Sequence, residues 1–556
     1  MDQGAEPCHD DLLDRAGRWR DEDPDEGTRS ELDALLVAAR AGDPDATAEL
    51  TDRFGGPLEF GTAGLRGAMG AGPHRMNRSV VQRAAAGLVA HLQGAGAGAH
   101  DIVVIGYDAR HHSHTFAQDT AEVVAGAGLR ALLMPRPLPT PLLAYAVRDL
   151  AAVAGVMVTA SHNPAGDNGY KVYLRDGSQI AAPTDREIAA RIADVGALTA
   201  IPRATTAEFV PEAVIERYLS AVVAVAAAGS RELSVVYTPL HGVGGETVLR
   251  VLEDAGFTPP HVVQAQFAPD PDFPTVRFPN PEEPGALDLA MQLAMECGAD
   301  LVVANDPDAD RCAAAVAGPH GWQMLRGDEV GALLAQHLLA NGVQGTYATS
   351  IVSSSLLSKM AAAAGQPSAR TLTGFKWISR VDDLVYGYEE ALGYCVDPAH
   401  VRDKDGVSAL LLLCSIAADA KARDRTLRDL LDDLALAHGH HATDQLSVRF
   451  EAPTAIRSAM AALRTSPPTA LGGLSVEEIE DLSRPRGDLP PTDGLRYTLA
   501  EGAHVIVRPS GTEPKLKCYL EVVTPVDPED GVDAARIAAA GRLDAIKADL
   551  RQVTGG

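Results

Sequence analysis

Ala154-Gly155-Val156-Met157-Val158-Thr159-Ala160-Ser161-His162-Asn163-Pro164 decides how this chain is read. The apolar run Ala154 to Val158 fits a buried parallel strand. Asn163-Pro164 and Asn168-Gly169 behind it are turn signals. Ser161 is therefore expected in a tight loop at the carboxyl end of a strand, where open α/β sheets keep their ligand sites. A Ser-His pair in a loop also serves as a plain capping or turn device. Three further segments, each suited to a phosphorylated ligand, favour the chemical reading.

Asp306-Pro307-Asp308-Ala309-Asp310-Arg311 follows the apolar run Leu301 to Ala304. Three carboxylates at alternate positions after a strand repel one another unless a cation sits among them. Hard oxygen ligands of this kind suit Mg²⁺, with water or a phosphate oxygen completing the shell. A calcium EF-hand starts similarly but needs glycine at its sixth position and glutamate at its twelfth; Arg311 and Ala317 stand there. The bland alternative is a solvated acidic turn.

Arg508-Pro509-Ser510-Gly511-Thr512-Glu513-Pro514-Lys515 follows the strand-like His504 to Val507. Arginine offers a bidentate fork for phosphate, and two hydroxyls and a glycine N–H add donors. Lys515 and Lys517 add positive charge. Gly387-Tyr388-Glu389-Glu390-Ala391-Leu392-Gly393-Tyr394 sets paired carboxylates in a glycine-flanked loop, good acceptors for adjacent sugar hydroxyls. Solvated surface and ordinary turns are the bland alternatives for these two.

These four segments, in this order, resemble the phosphoserine, metal, sugar and phosphate-binding loops of the α-D-phosphohexomutase superfamily, over roughly Phe60 to Lys517. Phe60-Gly61-Thr62-Ala63-Gly64-Leu65-Arg66-Gly67 is similar to its amino-terminal arginine loop. Asn168-Gly169-Tyr170-Lys171 and Arg402-Asp403-Lys404-Asp405-Gly406 are similar to its lysine segments. Ala391 stands where many glucose- and mannose-phosphate enzymes carry serine. With Gly374-Phe375-Lys376-Trp377-Ile378, this looks more like the phosphoglucomutase 2 and phosphopentomutase branch of the phosphoglucomutase/phosphomannomutase family.

The 556 residues exceed what one core usually serves, so three or four domains are expected. The balance of 48 basic against 75 acidic residues, net −27, disfavours nucleic acid and anionic membranes. It would repel a phosphate too, so the site needs local cations: Arg66, His162, Lys171, Lys376, Lys404, Arg508 and Lys515. The six cysteines are scattered, which suits free thiols in a reducing compartment. The acidic start lacks a signal-peptide layout, and Ala409 to Ala418 reads as a buried helix, too short for a membrane span. A cytoplasmic protein, monomeric or homodimeric, is expected.

Ile102 to Ile105, Leu233 to Tyr237 and Leu301 to Ala304 fit short strands, and Phe116 to Ala127 and Glu329 to Leu339 have helical spacing. Such alternation argues for βαβ units. Arg484 to Gly494 reads as a loop. The fold class is α/β. The resemblance implies three similar α/β domains with mixed, parallel-rich sheets and a smaller C-terminal α+β domain around a central cleft. Motif spacing places them at 1–210, 211–326, 327–439 and 440–556.

The resemblance also implies an activity: a phosphosugar mutase moving phosphate between C1 and C6 of a hexose, or C1 and C5 of a pentose. The path runs through phosphoserine and a sugar 1,6-bisphosphate (or 1,5-bisphosphate). Ser161, His162, Lys171, Lys404 and Arg66 would be catalytic. Glu389, Gly374, Lys376, Arg402, Arg508, Ser510, Gly511, Thr512, Lys515 and Arg311 would bind substrate. Mg²⁺ would be held by Asp306, Asp308, Asp310 and the phosphate on Ser161. Lys171 and Lys404 are acid/base candidates if neighbouring cations depress their pKa values, or else plain phosphate contacts. The alternatives are a phosphomannomutase of the same fold, a metal-dependent sugar phosphatase and a non-catalytic sugar-phosphate binder.

Overall fold

Three helices come first: His9–Glu22, Glu26–Arg40 and Pro44–Arg53. Asp25 and Asp43 cap the second and third, each accepting from two backbone N–H groups of the first turn. Leu12, Leu32, Leu36 and Leu50 form their common core. The computed structural model describes residues 9–61, 64–205, 208–226, 229–319, 321–450, 453–484, 489–510, 515–527 and 529–554. The chain forms two compact units, one of Met1–Ala226, Ser234–Ala313 and Ala399–Leu411, the other of Ala227–Leu233, Ala314–Pro398 and Leu412–Gly556.

In the first unit a seven-stranded mixed sheet has Ala154–Val158 at its centre, every residue of it buried. It runs parallel to Ile102–Tyr107 and antiparallel to Asp167–Leu174. A neighbour on both sides and cover on both faces explain the unbroken apolar run. One expected loop and one expected turn are strands instead. The arginine segment is a hairpin, Phe60–Gly61 with Gly64–Ala68, in which Arg66 stands opposite Gly169. Asn168-Gly169 lies inside the strand Asp167–Leu174. Glycine is needed there for close approach: a Cβ would fall 2.5 Å from the Thr159 carbonyl oxygen.

A second sheet of this unit sets Leu301–Ala304 parallel to Val235–Thr238, which pairs with His261–Val262. The expected helices are present as Ser113–Gly126, Gly327–Ala340 and Gly406–Lys421.

The second unit holds a four-stranded sheet in the order Ser368–Thr371, Thr346–Ser350, Leu384–Glu389, Gly393–Cys395, parallel except for its last pair. It also holds a six-stranded, wholly antiparallel sheet from His440–Arg449 to Ala470–Leu471. One face of that sheet is covered by the helices Pro453–Thr465 and Gly531–Thr554, which seal Tyr497, Val505 and Leu516. The carboxylate pair expected in a loop lies on a tight hairpin: Glu389 ends a strand opposite Gly393, with Leu392 at φ +63°.

Candidate active site

Ser161 lies three residues beyond its strand with φ +53°, a left-handed conformation that a non-glycine residue holds only when its surroundings enforce it. Its N–H donates to Thr159 Oγ1 (2.9 Å), and its carbonyl accepts from Arg110 Nη2 (2.6 Å). Arg110 also donates to the carbonyls of Asn163, Pro164 and Asp167, clamping the whole turn. Its Nε is 3.3 Å from Asp108 Oδ2. Nothing in the serine segment itself points to this arginine. The available signal is Asp108-Ala109-Arg110, charged residues directly after the strand Ile102–Tyr107.

Removing that clamp should be costly. Arg110→Ala leaves four carbonyls and Asp108 short of a buried donor, and is expected to destabilise the chain by roughly 3 kcal/mol. Urea unfolding monitored by circular dichroism measures this, and turnover should fall with it because Ser161 is no longer fixed.

The Ser161 hydroxyl donates to Asp306 Oδ2 at 2.7 Å and lies 3.2 Å from His162 Nδ1. Asp306, Asp308 and Asp310 are fully buried, so the reading of a solvated acidic turn falls. Ala309 between them has φ +54°, turning the loop so that the three carboxylates each bring one oxygen within 4.8 Å of the others. Asp308 Oδ2 accepts from Thr140 Oγ1 (2.6 Å) and Lys171 Nζ (2.7 Å). Asp310 Oδ2 accepts from Lys171 Nζ (2.8 Å) and Lys404 Nζ (2.5 Å). Asp308 Oδ1 and Asp310 Oδ1 are shut off from solvent with no hydrogen-bond partner. Two orphaned carboxylate oxygens in an all-oxygen donor set fit a hard cation. Burial, with Asp308 and Asp310, pushes the Asp306 carboxyl well up, the mark of a cluster with surplus negative charge.

Lys404 reaches this cluster because its loop packs on the aspartate loop: a Cβ on Gly406 would lie 2.2 Å from the Arg311 carbonyl oxygen. Asp403 accepts from Tyr173 and Gln179, and Asp405 from Tyr218. Arg402 is half-buried in the same loop. Arg311 lies 3.9 Å from Asp306 and 3.8 Å from Asp310. Arg66 donates to Asn163 Oδ1, and burial brings its pKa down to about 10, so it stays charged. His162 is held well below its ordinary value by burial and by Arg311 and Arg66, and is neutral.

Depression of a lysine pKa by surrounding cations does not occur at Lys171. Burial alone would lower it, but Asp308 and Asp310 override that and raise it, fixing Lys171 as a charged donor. In the first unit the structure thus brings together Ser161, His162, Arg66, Lys171, Lys404, Arg311 and the three aspartates.

The second unit gathers the sugar and phosphate segments. Glu389 Oε1 accepts from the N–H of Gly374, which sits at φ +108° before the short helix Phe375–Ile378. Lys376 on that helix is buried. Glu390 Oε2 accepts from the hydroxyls of Ser350 and Ser353. Arg508 is the penultimate residue of the strand His504–Pro509, opposite Lys517, and the Ser510 N–H donates to the Lys515 carbonyl. Gly511 and Thr512 lie outside the described residues. Tyr519 links the two segments: its buried hydroxyl feels the Arg508 guanidinium as well as the Glu390 and Glu389 carboxylates. Tyr519, absent from the sequence reading, has no local signal because its partners come from distant segments.

Models of the phosphoglucomutase/phosphomannomutase family match the chain in four pieces: α/β/α domain I at residues 57–198, domain II at 216–319, domain III at 326–436 and the C-terminal domain at 447–537. A probable phosphomannomutase of Haemophilus influenzae is 45% identical, with 84% of this chain and 96% of that one covered. A probable phosphoribomutase of Schizosaccharomyces pombe is 35% identical (93% and 94% covered), and the phosphopentomutase of Mus musculus 34% (86% and 87%). Among solved structures, a candidate phosphomannomutase of Thermus thermophilus superposes with a TM-score of 0.68 at 26% identity, covering 90% of this chain and 99% of that one. Parafusin of Paramecium, in its open form, gives 0.69 at 19% identity, with 90% and 96% covered, and shows the fold alone. No helix of the described residues is long and apolar enough to cross a membrane.

Proposed function

Since the chain belongs to the phosphoglucomutase/phosphomannomutase family, we propose that it is a phosphosugar mutase that carries the transferred phosphoryl group on Ser161. The observation that carries this is the buried triad with two orphaned oxygens, one of whose carboxylates holds the Ser161 hydroxyl at 2.7 Å. Asp306, Asp308 and Asp310 would hold Mg²⁺, which supplies neutralisation of the charge on the phosphoryl oxygens. The four-part division at 210, 326 and 439 is part of the same reading.

In the forward step the bond from phosphorus to Ser161 Oγ breaks and a bond to a sugar hydroxyl oxygen forms, the hydroxyl's proton ending on Ser161 Oγ, giving a sugar bisphosphate. Arg66, Lys171, Lys404 and Arg311 place positive charge around that transfer. When the bisphosphate gives its other phosphate back, the Ser161 hydroxyl must shed its proton. Asp306 Oδ2, to which that hydroxyl donates at 2.7 Å, and neutral His162 Nδ1 at 3.2 Å would be the acceptors within reach. In the second unit Glu389, Gly374 and Lys376 would contact the sugar. Arg508 with Ser510, Gly511, Thr512 and Lys515 would hold the phosphate that is not reacting, and Arg402 would add a further contact. The partner is a small sugar phosphate, and cytoplasmic placement is part of this reading.

The Mus musculus phosphopentomutase and the probable phosphoribomutase of Schizosaccharomyces pombe support a pentose phosphate, and the probable phosphomannomutase of Haemophilus influenzae supports mannose phosphate equally. A coupled assay over glucose, mannose, ribose and deoxyribose 1-phosphates, with and without the matching bisphosphate, tests the reading. Isomerisation stimulated by bisphosphate is expected; release of inorganic phosphate instead would mean a phosphatase.

Loss of the distal grip should have its own signature. Arg508→Ala is expected to raise KM on the order of a hundredfold, since a bidentate charged pair is lost. The kcat should fall less, and free bisphosphate should escape before it turns round. Steady-state kinetics with mass-spectrometric detection of bisphosphate measures both. Unchanged KM and no leakage would remove Arg508 from the site.

A further inference from the structure

Two arginines of the second unit carry charge that no side chain answers. Arg370 lies on the strand Ser368–Thr371, four residues before Gly374, and Arg496 on Leu495–Leu499. Both are half-buried, and among the described residues neither side chain has a hydrogen bond or an ion pair. The Nε of Arg496 is shut off from solvent with no hydrogen-bond partner.

Strand alternation places Arg496 on the face opposite Leu495, Tyr497 and Leu499, which fill the helix-covered core. Arg496 stands directly opposite Ile506, and Ile506 opposite Tyr519; Arg508 is two residues further along the same strand. This face packs through Ile506 and Tyr519 on Ile351, Val352 and Leu372, the last being two residues after Arg370. Beside Arg508 the neighbouring segment carries Gly494, where an added Cβ would lie 3.5 Å from the Arg508 Cβ and 3.2 Å from Leu482 Cδ1.

The two guanidiniums feel each other: burial, then Arg496, lowers the Arg370 pKa, while Glu521 and Tyr388 oppose this. Glu480 stands opposite Arg496 but is engaged elsewhere, and Glu521, the other carboxylate at hand, is already taken. Its oxygens accept from Ser354 Oγ, from the Ser355 N–H and from His441 Nδ1. His504, also facing the pair, is pushed to about 4 by burial and adds no charge at neutral pH. Two like charges half out of water are costly unless an anion joins them.

We propose that Arg370 and Arg496 form a second phosphate site beside Arg508, built for the tetrahedral dianion of a phosphate monoester. Two guanidinium forks converging on one group match that geometry. This rests on the mutase reading for the identity of its ligand. The phosphate is either the far end of the bisphosphate as it turns, or that of a separate phosphorylated effector.

The test uses inorganic phosphate as the probe, without divalent metal, on the full chain carrying Arg508→Ala so that the first site is silent. Calorimetric titration and the phosphate-induced rise in melting temperature should both detect binding. Adding Arg370→Gln or Arg496→Gln should weaken it roughly tenfold each, and Arg496→Lys, which keeps charge but loses the fork, by less. Binding that is absent, or indifferent to both arginines, overturns the proposal. Folding is not the obstacle, since removing one of two like charges should leave the melting temperature in phosphate-free buffer unchanged or higher.

Arg496→Gln in the otherwise intact chain then separates the sources. A raised KM with bisphosphate leakage assigns the site to the substrate's own phosphate. Unaltered kinetics with a lost response to phosphate assigns it to an effector. Because the probe is bound without turnover, phosphate binding at the pair in a chain lacking mutase activity would refute the proposed function and leave the site standing.

Discussion

Ser161→Ala is expected to lower mutase turnover by about four orders of magnitude or more, the scale of losing a covalent nucleophile. The backbone should tolerate it, because alanine and serine meet the same steric cost at φ +53° and the turn is held by Arg110 and Thr159 rather than by the hydroxyl. Circular dichroism and melting temperature should therefore stay near wild type. Ser161→Gly is the companion variant: it removes the nucleophile as completely while relieving the left-handed strain, and should be inactive yet slightly more stable. Intact-mass measurement of active wild-type protein should find a fraction heavier by one phosphate, mapped to Ser161. Full turnover in either variant would end the phosphoserine mechanism.

Asp308→Asn should cost on the order of a thousandfold in kcat, about 4 kcal/mol of transition-state stabilisation. The substitution keeps the shape, and its amide oxygen can still accept from Thr140. It removes one of the two orphaned oxygens and half of the charge that fixes Lys171. Metal affinity should fall with it, which equilibrium dialysis of Mg²⁺ reads independently of turnover. In wild type a chelator should abolish activity, and Mg²⁺ should restore it ahead of Ca²⁺, whose longer and more numerous oxygen contacts suit a small rigid triad less well. Undiminished activity after exhaustive chelation would refute the metal assignment.

The aspartate triad and Ser161 are legible in the sequence because each is a run of neighbouring residues placed by one strand end, and local chemistry alone makes it unusual. The partners that tune them are not. Arg110, Thr140 and Tyr519 act from positions far along the chain from the groups they touch, and only Arg110, beside Asp108 after a strand, carries a local mark. Lys171 stands out as a cation among phosphate-suited segments, but its electrostatic surroundings do not. Its neighbours are carboxylates drawn from a separate sheet, so its charge is reinforced. Asn168-Gly169 carries a true turn signal that tertiary packing overrides, because Gly169 is required where the strand crowds Thr159.

The assignment of Ala399–Leu411 to the first unit has a consequence for how the protein is made. The rest of that unit ends at residue 313, so a chain emerging from the ribosome carries Asp310 with Lys171 long before Lys404 exists. Tyr173, Gln179 and Tyr218 wait over the same interval for Asp403 and Asp405. Vectorial folding of the first unit therefore stalls short of completion until residues 314–398 of the second have been synthesised. Nascent chains stopped before residue 399 should be trapped as a protease-sensitive intermediate, and the step that completes the first unit is the insertion of one lysine-bearing loop.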